Sequence, residues 1–410
     1  MKLCWIKAGG FVPLDSGGRI RSFQMVKELA RRHAITVLTF YPAVENDPHQ
    51  ELEPLFEELI TVPLLLPKQR STGEYLDYLR LLHAPHAYSM QKYYRPELRR
   101  AASELFSRKK FDAIICDFIF PAGVLDWTVE TPIILFTHNV EAEVWERQYR
   151  VAKNPIRKLM FWLEYRRLVH CERYYAERAA HVLAVSEGNR RFFGRYTGGA
   201  DRVTLLPTGV DTDYFRPARE PSRERTLVFT GSMDWAPNYD AMEYFYRDIL
   251  PLIRAEEPEV ETWMIGRNPV PSLSRLVSSD SKVHLTGRVD DVRPFMDQCS
   301  VYILPMRTGS GTRLKVFEAM ASGKAIVSTP IGAEGLPVTD GENILLAEDP
   351  ANFAKAVIRL IRDADLRRRL EINARALAER GFSWRAAADR LEEAVITVVN
   401  ESAHSKVGAN

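Results

Sequence analysis

Residues 301–329 read VYILPMRTGSGTRLKVFEAMASGKAIVST, and four structural phrases succeed one another in them. Val301 to Met306 is an apolar run of strand length. Gly309, Ser310, Gly311 and Thr312 make a glycine turn. Leu314, Phe317, Glu318 and Met320 to Ala321 then fall at helical spacing, until Gly323 stops the helix and Ala325 to Thr329 begins another apolar strand. Strand, turn, helix and strand in that order are the unit of a parallel α/β sheet. The turn also carries chemistry, because free backbone N–H groups at a helix start, beside Arg313 and Lys315, suit a phosphate. Glycine turns precede helices in many α/β proteins for topological reasons alone, so anion binding and plain connection both stay open here. Glu318 bears on the choice. A carboxylate flanked by Val316, Phe317, Ala319 and Met320 that looks into a cleft can accept hydrogen bonds from two neighbouring hydroxyls, as on a ribose.

The same unit recurs on either side. TLVFTGS (226–232), TWMIGR (262–267), KVHLTGR (282–288) and NILLAE (343–348) join the two strands above to make six. Upstream, KLCWIKA (2–8), ITVLTFY (35–41), DAIICDF (112–118), PIILFTHN (132–139), HVLAVS (181–186) and VTLLPTGV (203–210) form a separate series, with an amphipathic helix over 19–33. Near-continuous apolar strands alternating with helices predict parallel sheets covered on both faces. RPAREPSRERT (216–226) has two prolines, many charges and no periodicity, and reads as a linker. The expected architecture is α/β, with two Rossmann-like doubly wound domains facing each other across a cleft. Residues 1–212 form the first domain, 213–225 the linker and 226–383 the second, and 384–410 is a closing helix that crosses back to the first. Ligands of such folds bind outside the carboxyl ends of the strands.

Composition narrows the class. A chain of 410 residues with 46% hydrophobic and 27% charged residues is an ordinary globular protein of two domains. A formal charge of +2 gives no global signal for a nucleic-acid partner, and none is expected. The four cysteines lack paired spacing and read as buried thiols of a reducing compartment. MKLCWIKAGG has no secretory pattern, and no apolar stretch reaches the roughly 18 to 20 residues of a membrane helix, so the expectation is a cytoplasmic protein. Residues 153–178 combine seven lysines and arginines with Phe161, Trp162, Tyr165, Tyr174 and Tyr175. That pattern fits docking on an anionic membrane surface, or a plain helix packing its aromatics inward.

Each predicted domain places polar groups at its strand ends. After the first strand come Asp15, Ser16, Gly17 and Gly18, then Arg19 and Arg21 at a helix start, where cations oppose the helix dipole unless an anion is near. Neither glycine loop has dinucleotide spacing, which argues against a dehydrogenase, and no GxSxG points to a serine hydrolase. His138 and Asn139 close the strand 132–139 over the expected cleft, a position that favours function over structure. No His, Cys or carboxylate cluster has metal-ligand spacing.

TLLPTGVDTDYFRP (204–217), VHLTGRVDDVRPFMDQCSVYILPM (283–306) and GTRLKVFEAMASGKAIVST (311–329) together resemble GT-B glycosyltransferases of the family 4 type. FTGSMDWAPNYDAMEYF (229–245) and HNVEAEVWER (138–147) resemble, more narrowly, sugar transferases of exopolysaccharide and exosortase systems. The resemblance implies a hexosyltransferase-like, retaining transfer of a sugar from a nucleotide-diphosphate donor to a glycan or lipid-linked acceptor, with no metal or other cofactor. It places the base by Arg288 and Val289 and the ribose on Glu318. The diphosphate falls between Ser310, Gly311, Thr312, Arg313 and Leu314 on one side and Gly17 and Gly18 on the other, and His138 lies near the transferred sugar. Two departures stand out. Ser310 replaces a glutamate usual in the family, and the loop GSMDWAPN offers Ser232 and Pro237 where an arginine and a lysine are usual. Arg313 and Lys315 are expected to supply the missing charge, with Arg19, Arg21 and Arg267 as further candidates. A nucleotide-sugar epimerase and a non-catalytic sugar-binding protein are the alternatives. The first needs acid and base carboxylates at the sugar, and no convincing pair is present; the second, of the periplasmic type, needs a signal sequence.

Overall fold

The computed structural model describes residues 1–14, 16–42, 47–67, 71–152, 154–218, 222–308 and 314–407. The chain forms two compact units, Met1–Pro207 with Ala387–Asn410, and Thr208–Ala386.

The first unit is built on a parallel sheet of seven strands in the order β3-β2-β1-β4-β5-β6-β7. These are β1 (Lys2–Lys7), β2 (Ala34–Pro42), β3 (Glu58–Leu64), β4 (Ala113–Asp117), β5 (Ile133–Phe136), β6 (His181–Ala184) and β7 (Val203–Leu205). Alternate residues serve opposite faces. Cys4, Ile6, Ile114, Cys116 and Leu135 join one apolar cluster, while Trp5 packs edge-on against Phe136 at 5.5 Å on the other face. The register sets Lys7 opposite Asp117 at the carboxyl ends of β1 and β4.

β3 has no counterpart in the sequence reading. Its segment ELITVPL contains Pro63, which marks a poor central strand; β3 is an edge strand paired only with β2, where a missing N–H is tolerated. The helix Gly17–Ala30 also departs from expectation, because Arg21 and Ser22 are buried along with Phe23, Met25, Val26 and Leu29. The Arg21 guanidinium donates to the Thr137 and Leu206 carbonyls at 2.7 and 2.6 Å and lies 4.3 Å over Phe136, so burial leaves its charge solvated by protein. The last helix, Trp384–Val407, contributes its residues from Ala387 onward to this unit. There Arg32 pairs with Asp389 at 2.9 Å and His33 Nε2 meets Glu392 at 2.6 Å.

The second unit holds a parallel sheet of six strands in the order β10-β9-β8-β11-β12-β13. These are β8 (Arg223–Thr230), β9 (Glu261–Ile265), β10 (Val283–Leu285), β11 (Cys299–Leu304), β12 (Ala325–Ser328) and β13 (Leu345–Leu346). β8 starts at Arg223, so Arg223 to Arg225, the last three residues of the linker expected over 213–225, are strand. The central strands β8 and β11 carry Leu227, Val228, Phe229, Val301, Tyr302 and Ile303 into a single large core.

Candidate active site

Both sheets have a place where the strand order reverses. From β1 the first sheet grows one way to β2 and β3 and the other way from β4 onward; from β8 the second grows to β9 and β10, and the other way from β11. The loops leaving the two central strands diverge there and open a crevice at the carboxyl edge, where α/β folds bind ligands. In the first unit these loops begin at Ala8 and Phe118. In the second they begin at Gly231 and Pro305.

The first crevice has an ionic floor. His138 Nε2 lies 2.8 Å from Asp117 Oδ1 and 3.4 Å from Ser22 Oγ. Asp117 Oδ2 accepts from Trp5 Nε1 at 2.9 Å and lies 3.6 Å from the Lys7 ammonium, which donates to Ser22 Oγ at 2.9 Å. Burial works against the Asp117 charge, but Lys7 and the His138 hydrogen bond outweigh it and hold the carboxyl below its ordinary value. Burial, reinforced by Arg21 and Lys7, holds the His138 imidazole well below its usual range in spite of Asp117. The imidazole is therefore neutral, its Nε2–H donates to the carboxylate, and Nδ1 carries a buried lone pair with no hydrogen-bond partner among the described residues.

The sequence reading set His138 over an open cleft; the structure gives it 3% exposure. Phe118 stacks on the imidazole with ring centroids 3.7 Å apart and planes 5° off parallel, and Phe136 meets it edge-on. Phe118 has φ +68°, a left-handed conformation rare for a bulky residue and often found at functional sites. Gly18 makes room for the ring, since a Cβ there would stand 2.7 Å from Phe118 Cζ. Above this floor lies a cavity of about 420 Å³, lined by Lys7, Gly9, Gly10, Ser16, Gly18 and Arg19 on one side. Ala8, Phe40, Tyr41, Leu64 to Pro67, Glu74, Tyr88, Lys92 and Tyr93 also line it, with Phe118 and Phe120 next to the imidazole floor. His49, fully buried, accepts from the Phe11 backbone N–H at 3.0 Å and steadies the glycine loop.

In the second unit, cations arrive from outside the loop that lacks them. Lys315, on the helix Leu314–Ala321, places its ammonium 2.6 Å from Asn238 Oδ1 and 4.4 Å over the Phe229 ring. Asn238 in turn donates to the Ser232 carbonyl at 2.8 Å. Gly231 has φ +155°, and a Cβ there would come within 2.6 Å of both Lys315 Nζ and Asn238 Nδ2. From the end of β9, Arg267 Nε donates to Ser232 Oγ at 3.0 Å. The Gly231–Trp235 loop thus carries Ser232 where a cation is missing, and Lys315 and Arg267 converge on it. One helical turn beyond Lys315, Glu318 is half-buried; loss of solvation, only partly offset by Lys315, raises its carboxyl to about 7. Arg288 is exposed and Val289 half-buried after β10, on the same carboxyl edge. Leu314 opens the helix, while Ser310, Gly311, Thr312 and Arg313 lie outside the described residues.

The sequence reading missed Lys7, Ser22, Asp117 and Phe118. The first and third were visible as charged residues closing the strands KLCWIK and AIICD, whose interiors are apolar. Among the described residues, no three His, Cys, Asp or Glu side chains gather closely enough to hold a metal ion.

Comparison with known proteins bears on both units. Residues 16–214 match the family described as Glycosyltransferase Family 4, and residues 224–363 match Glycosyl transferases group 1. An uncharacterized 44.6 kDa protein in the cps region of Klebsiella pneumoniae is 20% identical over 382 residues, 90% of this chain and 93% of that one. A phosphatidyl-myo-inositol mannosyltransferase of Mycobacterium tuberculosis is 27% identical over 246 residues, 57% of this chain and 64% of the other, so the match spans under two thirds of that relative. The solved structure of Anabaena HepE in complex with UDP and glucose superposes with a TM-score of 0.63 at 14% identity, covering 96% of this chain and 98% of that one. At such identity the likeness speaks for the fold.

Proposed function

The chain belongs to the GT-B glycosyltransferases, with a family 4 domain followed by a group 1 domain, and from that premise we propose that it moves a sugar, with retention, from a nucleotide-diphosphate donor to a glycan or lipid-linked acceptor. Exopolysaccharide or cell-envelope polysaccharide synthesis in the cytoplasm is the setting this reading favours, supported by the relative in the cps region. The observation that carries the reading is the convergence of Lys315 on the Gly231–Trp235 loop, with Glu318 one turn further on.

The leaving group of such a transfer is a nucleoside diphosphate whose charge grows as the glycosidic bond breaks. A fixed ammonium aimed at the strand-end crevice stabilises that charge more than it stabilises the intact donor. On this account Lys315, with Arg267, Arg313 and the N–H groups of the glycine turn, holds the diphosphate, and no metal ion is required. Glu318 accepts the ribose hydroxyls, and Arg288 and Val289 border the base. In the first unit, Gly17 and Gly18 let the donor approach the start of the helix Gly17–Ala30. The bare Nδ1 of His138 offers an acceptor for a hydroxyl of the transferred sugar once Phe118 moves aside. The test is a screen of the purified protein against a panel of nucleotide sugars, reading thermal shift and release of nucleoside diphosphate. A panel in which no member binds or turns over refutes the proposal.

A further inference from the structure

The geometry points to an acceptor that is lipid-anchored and met at an anionic bilayer surface, an inference that rests on the sugar-transfer reading above. One wall of the cavity in the first unit is Leu64 to Pro67 and Glu74. The same stretch of chain turns outward as apolar surface. Leu65 is 68% exposed, and in the helix Thr72–Arg80, Leu76 and Leu79 are 63% and 61% exposed, while Tyr78 is the single buried residue of that helix. A nine-residue helix that buries one tyrosine and turns two leucines to water is amphipathic the wrong way round for a free monomer.

A second helix extends the patch. Tyr78 OH lies 3.5 Å from the Met160 carbonyl, and Arg157 Nη2 lies 3.5 Å from Tyr75 OH. These contacts set the first turns of the helix Pro155–Arg178 alongside. There Ile156, Leu159 and Trp162 are 70%, 56% and 39% exposed, at a spacing of three residues that aligns them on one stripe. The charges around this surface are mostly of one sign. Arg80, Arg157, Lys158 and Arg166 are exposed, whereas Glu164 is buried and accepts from the backbone of Tyr88 and Ser89. Asp77 is half-buried and accepts from Tyr88 OH at 3.2 Å. Exposed leucine and tryptophan bordered by arginine and lysine match the headgroup region of an anionic membrane.

The cavity agrees in chemistry. Among the described residues, Lys7, Arg19 and Lys92 line it together with the carboxylate Glu74, and Lys7 pairs with Asp117. A phosphate-bearing headgroup fits that balance. An acceptor whose tail stays in the bilayer would enter past Leu65 and Leu66 and bring its headgroup over Phe118.

The experiment is co-sedimentation of the full chain with vesicles of phosphatidylglycerol and phosphatidylcholine, against vesicles of phosphatidylcholine alone. The wild type is expected to pellet with the anionic vesicles. Leu76→Asp with Leu79→Asp should lower the bound fraction by about tenfold or more, and Arg157→Glu with Lys158→Glu should weaken binding to the anionic vesicles selectively. All four positions are exposed, so melting temperature and nucleotide affinity should not move. Wild-type protein that stays in the supernatant at low salt, or variants that bind as well as it does, overturns the inference. So does a stable dimer that the leucine variant dissociates without any vesicle binding, since the patch would then belong to a second copy of the chain. Release of nucleoside diphosphate from nucleotide sugars, measured without lipid, tests the transfer reading separately: turnover without vesicle binding sinks the membrane inference alone.

Discussion

Lys315→Met isolates the charge at the second crevice. Methionine keeps an apolar stem beside Phe229 and removes only the ammonium, which lies 4.4 Å over that ring and 2.6 Å from Asn238 Oδ1. A charge-assisted hydrogen bond contributes about 1.5–3 kcal/mol, so affinity for the nucleoside diphosphate of the donor found in the panel should fall by roughly 10- to 150-fold. Affinity for the parent nucleoside, which has no phosphate, should change by less than about twofold, because the same interaction is absent from it. The gap between the two ligands should narrow as salt is raised, to the extent that solvent reaches the ammonium. Asn238 is 3% exposed and loses the partner of its Oδ1, which costs about 1–3 kcal/mol of stability; a melting temperature lowered by a few degrees is therefore part of the expectation. Isothermal titration of both ligands at two salt concentrations reads every quantity. Equal weakening of nucleoside diphosphate and nucleoside, or none, would show that Lys315 only braces the Gly231 loop, and Arg19 or Arg267 would then be the next positions to reverse in charge.

Glu318→Gln should weaken nucleoside diphosphate and nucleoside alike by about 1–3 kcal/mol in calorimetry, since both carry the ribose. Its carboxyl rises from 4.5 to about 7 in the fold, so the folded state binds more protons than the unfolded one between those values. Stability from this group is present at low pH and lost as pH rises through that window, and Glu318→Gln should remove this slope from pH-dependent unfolding curves. His138→Ala should cost about 2–4 kcal/mol in denaturant unfolding, because it empties the space between Phe118 and Phe136 and strips a buried carboxylate of one partner. Activity per folded molecule should also fall steeply; unfolding curves that match the wild type would contradict the stacked, hydrogen-bonded geometry. Gly18→Ala must displace the Phe118 ring, and is expected to destabilise by about 1–3 kcal/mol. Full stability in that variant would mean that the ring moves freely.

The sequence was most legible where one physical signal dominated. Parallel strands buried on both faces are written as apolar runs, so twelve of the thirteen strands among the described residues have a counterpart in the sequence reading, and β3 was lost because Pro63 obeys a rule for edges rather than centres. Arg21 read as a candidate for the diphosphate charge, since its actual partners are backbone carbonyls that sequence cannot display. Lys7 and Asp117 lie 110 residues apart and meet only through strand register, so their ion pair was invisible until β1 and β4 were placed side by side. Glycines announce close approach without saying to what. Gly18 answers to a phenyl ring and Gly231 to an ammonium, and neither distance follows from spacing.

The helix Trp384–Val407 gives the chain an order of assembly. Its residues from Ala387 onward belong with Met1–Pro207, so the second unit is an insertion within the first, and the first stays unfinished until this helix has been made. Leu391, Val395 and Val398 are all buried in the finished protein, and what they cover waits uncovered on the nascent chain. The middle unit, contiguous from Thr208 to Ala386, has all its parts sooner. Vectorial synthesis ordinarily lets an amino-terminal domain mature first. In this connectivity the later domain can close while the earlier one still lacks its last helix, so a truncation at residue 386 should spare the middle unit and leave the first one prone to aggregate.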